Sequence, residues 1–254
     1  NISYHEALTT YNNNISYFEL IELNNYYDLI NPLNKDKMES YIVFNDIDNS
    51  FINSILFCRG IDDTSDIFSD MFLSLSESVS SKKSNNIIRE KIELGSDNSL
   101  KTVKTFVDKY KKVQGIVYNQ ILRDPIHLLK LLKYCINSLI PNGNVIIKTS
   151  FIYDSFSYKV ASYFSSFFHE FHYVRPECSK DYDDTCYFVF KFFKEPSSKD
   201  EKILEDLLDN VDFNDIKGIN IDKNNLKEIL NFNNRNSKQI YFKTIAKINN
   251  FVIN

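Results

Sequence analysis

The residue with the most chemistry to offer is a lysine at the end of an apolar strand. Lys148 closes the run 145–148 (VIIK), directly after the turn-forming residues 141–143 (PNG). Because ligands of parallel α/β sheets bind beyond the carboxyl ends of the strands, Lys148 is predicted to lie at the ligand-binding edge. A lysine can act as a base there only when desolvation and neighbouring charges tune it. Two interpretations stand: a catalytic or RNA-contacting lysine, or a strand-end lysine that reaches solvent.

A polar loop after an earlier strand holds two carboxylates and no glycine. Asn and Asp tolerate positive φ better than most residues, so a tight turn can form here without glycine. The Asp-x-Asp pair could bind magnesium, but no third acidic partner is evident and we predict no metal site. The loop consists of Asn45, Asp46, Ile47, Asp48, Asn49 and Ser50.

Three basic residues form a candidate phosphate-binding patch near the same edge, namely Lys159, Arg175 and Lys180. Ordinary scatter of surface charge is the alternative. The four cysteines lie far apart, without the close pairs of a zinc site. No serine-hydrolase, P-loop or zinc-protease motif occurs, so those classes of enzyme lack support.

The elements that must position these residues alternate between helices and strands. That alternation predicts an α/β domain over residues 1–195, with a largely parallel sheet, helices on both faces and an antiparallel hairpin at one edge. Residues 196–254 are predicted to form a helical C-terminal appendage. Most of 74–99 is expected to be loop. Helices are predicted at 15–29, 51–58, 100–110, 125–139, 156–168, 200–208, 226–232 and 239–251, and strands at 40–44, 87–94, 113–118, 145–148, 170–174 and 186–193.

Composition limits the classes of function. A chain of 254 residues with 43% hydrophobic content can bury a full core. The formal charge of −4 excludes a domain that neutralises a phosphate backbone by bulk charge, so any RNA contact must be local. Cysteine usage favours a cytosolic setting, and no membrane span is predicted. Because the first residue is Asn1 rather than Met, we expect a fragment, a processed product or a domain of a longer chain.

Several short motifs occur in a specific order. A Pro-x-Gly turn precedes the strand that ends in Lys148, an aromatic helix ends at 167–168 (FF), and 175–176 (RP), 179–180 (SK) and 187–189 (YFV) follow. Residues 18–23 (FELIEL) and 29–32 (LINP) precede the first strand. Together these resemble the FtsJ-like ribose 2′-O-methyltransferases over roughly residues 15–193. The resemblance implies a Rossmann-like S-adenosylmethionine methyltransferase fold.

Activity in that family rests on a Lys-Asp-Lys-Glu tetrad that activates a ribose 2′-hydroxyl. The resemblance places its members at Glu19, Asn119, Lys148 and Thr185, so only Lys148 is retained. An acidic residue at position 19 would stabilise the charged form of Lys148, which is unfavourable for a base. The family's Gly-rich cofactor turn falls on residues 45–50, where no glycine is present.

With these losses, the resemblance implies a degenerate, catalytically inactive RNA 2′-O-methyltransferase-like domain with a regulatory or scaffolding role in mRNA capping or RNA modification. By type it is similar to the inactive small subunit of the poxvirus mRNA capping enzyme, and a viral origin is expected. The expected partners are RNA, in particular capped mRNA, and a catalytic capping or methyltransferase subunit. The expected location is the host cytoplasm or a virion, and no cofactor is expected.

Two other hypotheses remain. An active cap 2′-O-methyltransferase would use S-adenosylmethionine and would draw its missing carboxylates from Asp46, Asp124 or Asp181. An interaction module that does not bind nucleic acid would be supported if side chains filled the ligand-binding edge of the sheet.

Overall fold

The computed structural model describes residues 15–31, 38–60, 70–76, 86–150, 155–179 and 184–210, together with 227, 231 and 232. Six helices lie in this part of the chain: α1 (Ile15–Tyr27), α2 (Ser50–Arg59), α3 (Asp97–Tyr110), α4 (Pro125–Ser138), α5 (Ser155–Ser165) and α6 (Ser198–Asn210). Seven strands alternate with them: β1 (Ser40–Phe44), β2 (Met71–Ser76), β3 (Ile87–Lys91), β4 (Val113–Leu122), β5 (Leu139–Thr149), β6 (Phe168–Val174) and β7 (Cys186–Phe193).

The strands form one sheet in the order β3-β2-β1-β4-β5-β7-β6. The first five strands are parallel to one another, whereas β7 lies antiparallel between β5 and β6. The predicted parallel sheet with an antiparallel pair at one edge is therefore confirmed. The order reverses at β1 and β4, whose carboxyl ends open a crevice for ligands.

Helices cover both faces, as the alternation of strands and helices predicts. Along β1 successive side chains enter opposite cores, because strand side chains alternate. Ile42 and Phe44 pack with α3, α4, α5 and α6, whereas Tyr41 and Val43 pack with α1 and α2. The two cores hold the strand ends of the crevice in a fixed geometry.

One strand was missed by the sequence analysis. β2 includes residues 74–76, which the serine content led us to assign to a loop. All six residues of β2 are buried, because it lies between β1 and β3. Ser74 and Ser76 are residues of this strand, and the backbone of β2 is hydrogen-bonded to β1 on one side and to β3 on the other.

Several predicted boundaries differ from the structure. β4 continues to Leu122 instead of ending at residue 118, and β5 begins at Leu139, before the Pro-Asn-Gly turn. That turn forms an irregularity within β5, where Asn142 adopts φ 64° and the register against β4 shifts. Helix α5 ends at Ser165, so residue 168 belongs to β6.

The predicted helix at 200–208 is confirmed as α6, whose Leu204 and Leu207 are buried in the same core as α4. The helices predicted at 226–232 and 239–251 lie outside the described residues, apart from 227, 231 and 232. The domain boundary at 195 stays a prediction. No helix in the described ranges has the length and apolar character that crossing a bilayer requires.

Candidate functional site

The turn after β1 forms without glycine. Asn45 and Asn49 adopt φ values of 55° and 59°, in the left-handed region that Asn tolerates. Asn49 is the N-cap of α2, and Asp48 accepts the backbone N–H of Ser50 at 3.0 Å. The predicted turn is confirmed, and its shape depends on Asn and Asp side chains where glycine is the usual choice.

Asp46 points its carboxylate at the start of α2. Its Oδ1 accepts the Ser50 hydroxyl and the Phe51 N–H, both at 3.1 Å, and its Oδ2 accepts the Ile52 N–H at 3.0 Å. The residue is 2% exposed. Burial raises the pKa of Asp46 above its ordinary value, although the Ile52, Phe51 and Asn119 hydrogen bonds oppose the shift. The backbone N–H groups at the positive, amino-terminal end of α2 are thus hydrogen-bonded to the carboxylate of Asp46.

Asn119, predicted from the sequence resemblance to replace an aspartate, contacts the same turn. Its side-chain amide donates to Asp46 Oδ1 and to Ser50 Oγ, each at 2.9 Å. Nearby, the Asn45 amide donates to Gln120 Oε1 at 2.7 Å. These contacts tie the turn after β1 to residues 119 and 120 of β4.

Lys148 lies where the sequence predicts, at the carboxyl end of β5. Its ammonium donates to Glu19 Oε2 at 3.0 Å and to Ser16 Oγ at 2.8 Å. The Lys148 side chain is 12% exposed and that of Glu19 is 2% exposed. The interpretation of Lys148 as a solvent-reaching lysine is therefore wrong, because α1 covers it.

Glu19 is the centre of a larger polar cluster. The hydroxyls of Ser179 and Tyr187 each donate to its carboxylate at 2.6 Å. One turn along α1, Glu22 accepts the backbone N–H groups of Glu177 at 2.6 Å and of Cys178 at 3.0 Å. Helix α1 is therefore hydrogen-bonded to β5, to β7 and to residues 175–179, which are the segment after β6.

The roles of Glu22, Ser179 and Tyr187 were missed by the sequence analysis. A signal was present, because Glu19 and Glu22 are the charged residues of α1, are three residues apart and lie on the same face of the helix. Thr185, which the sequence resemblance predicts at the fourth tetrad position, lies directly before β7 and is buried. It contributes no charge to the cluster.

A cavity of about 320 Å³ opens at the carboxyl ends of β1, β2 and β4. Its walls include Phe44, Leu75 and Tyr118, and Asn45, Glu93 and Gln120 supply polar atoms. The volume is at the lower end of the range for small-molecule sites, about 300–1,000 Å³. Sequence reasoning missed this cavity, since its lining comes from separate segments with no common motif.

Arg89 of β3 is another polar group that sequence reasoning missed. Its Nη2 donates to Asn49 Oδ1 at 2.9 Å, and burial lowers the pKa of its guanidinium although the charge of Asp46 opposes this. Its Nε and Nη1 are buried without a hydrogen-bond partner among the described residues. Arg89 adds positive charge to the turn after β1.

The remaining predicted site residues are dispersed. Lys159 lies in α5 and Arg175 follows β6, while Lys180 and Asp181 lie outside the described residues. Asp124 is exposed and caps α4 by accepting the Ile126 N–H at 2.9 Å. The phosphate-binding patch stays a prediction. No three His, Cys, Asp or Glu side chains in the described ranges lie close enough together to hold a metal ion.

Comparison with solved structures identifies the fold. A Plasmodium falciparum protein described as a ribosomal RNA methyltransferase aligns with a TM-score of 0.53 and 16% identity, over 70% of this chain and 96% of that one. The fold is that of the S-adenosylmethionine-dependent methyltransferases. CurJ carbon methyltransferase (TM-score 0.46, 8% identity, 71% and 54% covered) and fibrillarin complexed with Nop5p (0.44, 12%, 70% and 83%) align less well and add nothing to this assignment. No family model and no curated protein sequence match the chain.

The residues of the turn do not fit the methionine half of S-adenosylmethionine. That half carries a carboxylate, and the buried carboxylate of Asp46 already accepts the donors at the start of α2. A second anion there would meet like charge in a poorly solvated place. The cavity beside Phe44 and Tyr118 remains open, so the two halves of the crevice differ in what they can accept.

Proposed function

We propose that this chain is a catalytically inactive RNA 2′-O-methyltransferase-like domain that acts by binding. In this role it regulates or scaffolds an mRNA-capping or RNA-modifying assembly, with RNA, a catalytic capping or methyltransferase subunit, or both as partners. The observation that carries the proposal is the buried ion pair between Glu19 and Lys148. A lysine held as an ammonium has no lone pair with which to take a proton from a ribose hydroxyl.

The other tetrad positions support the same proposal. Asn119 has no carboxylate and spends its amide on the turn after β1, and Thr185 is buried and uncharged. Asp46 and Asp124, two of the candidates for compensation, are committed to the starts of α2 and α4. Among the described residues, Lys148 contacts Glu19 and Ser16, and neither the Asp46 nor the Asp124 carboxylate forms a hydrogen bond or an ion pair with it.

An active cap 2′-O-methyltransferase remains a second candidate because of one observation. The cavity of about 320 Å³ lies at the strand ends where the order of the sheet reverses, and apolar and aromatic side chains form its walls. Such a place suits a nucleoside-sized ligand. Activity would require the Glu19 and Lys148 side chains to separate when substrate binds.

Isothermal titration separates the two candidates. The purified chain is titrated with S-adenosylmethionine, with S-adenosylhomocysteine and with a capped RNA oligonucleotide. We expect no binding of S-adenosylmethionine or S-adenosylhomocysteine, and measurable binding of the capped RNA. Micromolar binding of the cofactor would favour the enzyme, provided that Leu75→Trp, which fills the cavity, removes it. Phe57→Trp, on the exposed face of α2, is the matched control and should leave that binding unchanged. Loss of methyl transfer in Lys148→Ala would then establish it.

A further inference from the structure

Five hydrogen-bond donors from β5, β7 and the segment after β6 converge on two carboxylates of α1. Glu19 accepts from an ammonium and two hydroxyls, and Glu22 accepts from two consecutive backbone N–H groups. The donors are Lys148 Nζ, Ser179 Oγ, Tyr187 OH, and the N–H groups of Glu177 and Cys178. Apart from the lysine, none belongs to a charged side chain.

This donor set is the kind that binds phosphate. Lysine ammonium groups, hydroxyls and adjacent backbone N–H groups are the usual protein donors to phosphate oxygens. A carboxylate accepts the same donors in the same geometry, but it carries one unit of charge and two oxygens. Glu19 and Glu22 lie one helical turn apart, so together they offer four acceptor oxygens over roughly 5–6 Å between their Cβ atoms.

The protein elsewhere shows the same arrangement in a smaller form. At the start of α2, Asp46 occupies donors that would otherwise be free to receive an anionic ligand. Two anion-accepting places along the carboxyl edge of one sheet are thus filled by acidic side chains of the chain itself.

We propose that Glu19 and Glu22 fill a phosphate-binding site from within, so that α1 keeps a phosphate group out of the edge formed by β5, β7 and the segment after β6. The inference deepens the proposed function, since it explains how an RNA-type fold would be closed to a phosphodiester at this position. It does not depend on whether S-adenosylmethionine binds. The chemistry of the excluded ligand is a phosphate monoester or diester.

The test replaces both carboxylates by amides of equal size in Glu19→Gln/Glu22→Gln. Binding of inorganic phosphate and of a ten-nucleotide single-stranded RNA is measured by titration for the wild type and the variant. We expect binding to tighten at least roughly tenfold in the variant for one or both probes. Adding Lys148→Met to the variant should cancel the gain.

The matched control is Glu201→Gln/Glu205→Gln, which makes the same change of net charge on the exposed face of α6. An equal gain in that control would overturn the inference, because bulk charge would then explain it. A gain for RNA without a gain for inorganic phosphate would assign the site to a phosphodiester strand.

If the double variant does not fold, Glu22→Gln alone decides, since Glu22 is only half-buried and its amide can still accept one backbone N–H. We expect a smaller gain of the same sign, again cancelled by Lys148→Met. Unchanged binding of both probes in folded variants would overturn the inference. The cofactor titration is a separate measurement, so failure here leaves the proposed function standing.

Discussion

The carboxylate of Glu19 lies 3.0 Å from the ammonium of Lys148, across 129 residues of sequence. The hydroxyls of Ser179 and Tyr187 donate to the same carboxylate. These partners account for the burial of Glu19, because a charge in a dry environment needs a countercharge and hydrogen bonds.

Removal of the Glu19 charge is expected to destabilise the chain. In Glu19→Gln, Lys148 loses its countercharge, and the hydroxyls of Ser179 and Tyr187 donate to a weaker acceptor. Breaking a buried pair in this way typically costs about 3–5 kcal/mol. Urea unfolding followed by circular dichroism gives the free energy of unfolding.

A double-mutant cycle shows whether the pair is the cause. Glu19→Gln/Lys148→Gln should lose less than the sum of the two single variants, because neither partner is left as an isolated charge. Additive losses within about 0.5 kcal/mol would contradict the coupling.

The stability of the chain should depend on the ionisation of Asp46. Burial raises the pKa of this carboxyl in the folded chain above the ordinary 3.8. The folded state therefore binds the proton more tightly than the unfolded state, so the contribution of Asp46 is largest in acid and falls as pH rises through the window above 3.8. We expect wild type to lose stability relative to Asp46→Asn between pH 4 and pH 7, as measured by urea unfolding.

Asp48→Asn is the matched control for that prediction. Asp48 is exposed, and its hydrogen bond to the Ser50 N–H can be kept by the amide oxygen. A pH dependence equal to that of Asp46→Asn would assign the effect to overall charge.

A buried ion cluster at the amino ends of β1 and β2 should contribute strongly to the stability of the fold. Arg59 Nε lies 2.7 Å from Asp70, and Arg59 Nη1 lies 2.9 Å from Glu39; all three residues are at most 3% exposed. Arg59→Met leaves two buried carboxylates without a cation, at a cost of about 3–5 kcal/mol. Thermal and urea unfolding measure the loss, and the exposed Arg123→Met should change stability by less than about 0.5 kcal/mol.

The glycine of the Pro-Asn-Gly turn should tolerate no side chain. A Cβ at Gly143 would lie 2.7 Å from Leu139 Cγ and 3.0 Å from the backbone oxygens of Gln114 and Ile140. Gly143→Ala is therefore expected to cost about 1–3 kcal/mol, because the two backbone oxygens cannot move aside cheaply.

The neighbouring Asn142 supplies the comparison for Gly143. Asn142 is exposed and adopts φ 64°, a conformation in which glycine is free of strain. Asn142→Gly should leave the midpoint of urea unfolding unchanged or slightly raised. Equal losses in both variants would show that the turn, and not the space at Gly143, limits stability.

Much of the architecture could be predicted because its causes are local. Apolar runs such as 40–44 and 145–147 predict buried strands, and the periodicity of 125–138 predicts a helix, since burial of one face shows in a few consecutive residues. β2 could not be recovered in the same way, because Ser74 and Ser76 interrupt the apolar pattern and only its two neighbouring strands make it a strand.

The sequence by itself determined the order of helices and strands, the place of Lys148 at a strand end and a turn after β1 that tolerates the absence of glycine. Only the tertiary structure decided what those residues do. It placed Glu19 and Glu22 of the first helix against donors more than 100 residues away, turned Asp46 into the start of α2 and left a cavity beside Phe44. Secondary structure follows from contacts a few residues apart, whereas the charge and shape of a site are sums over segments that meet only when the sheet has formed.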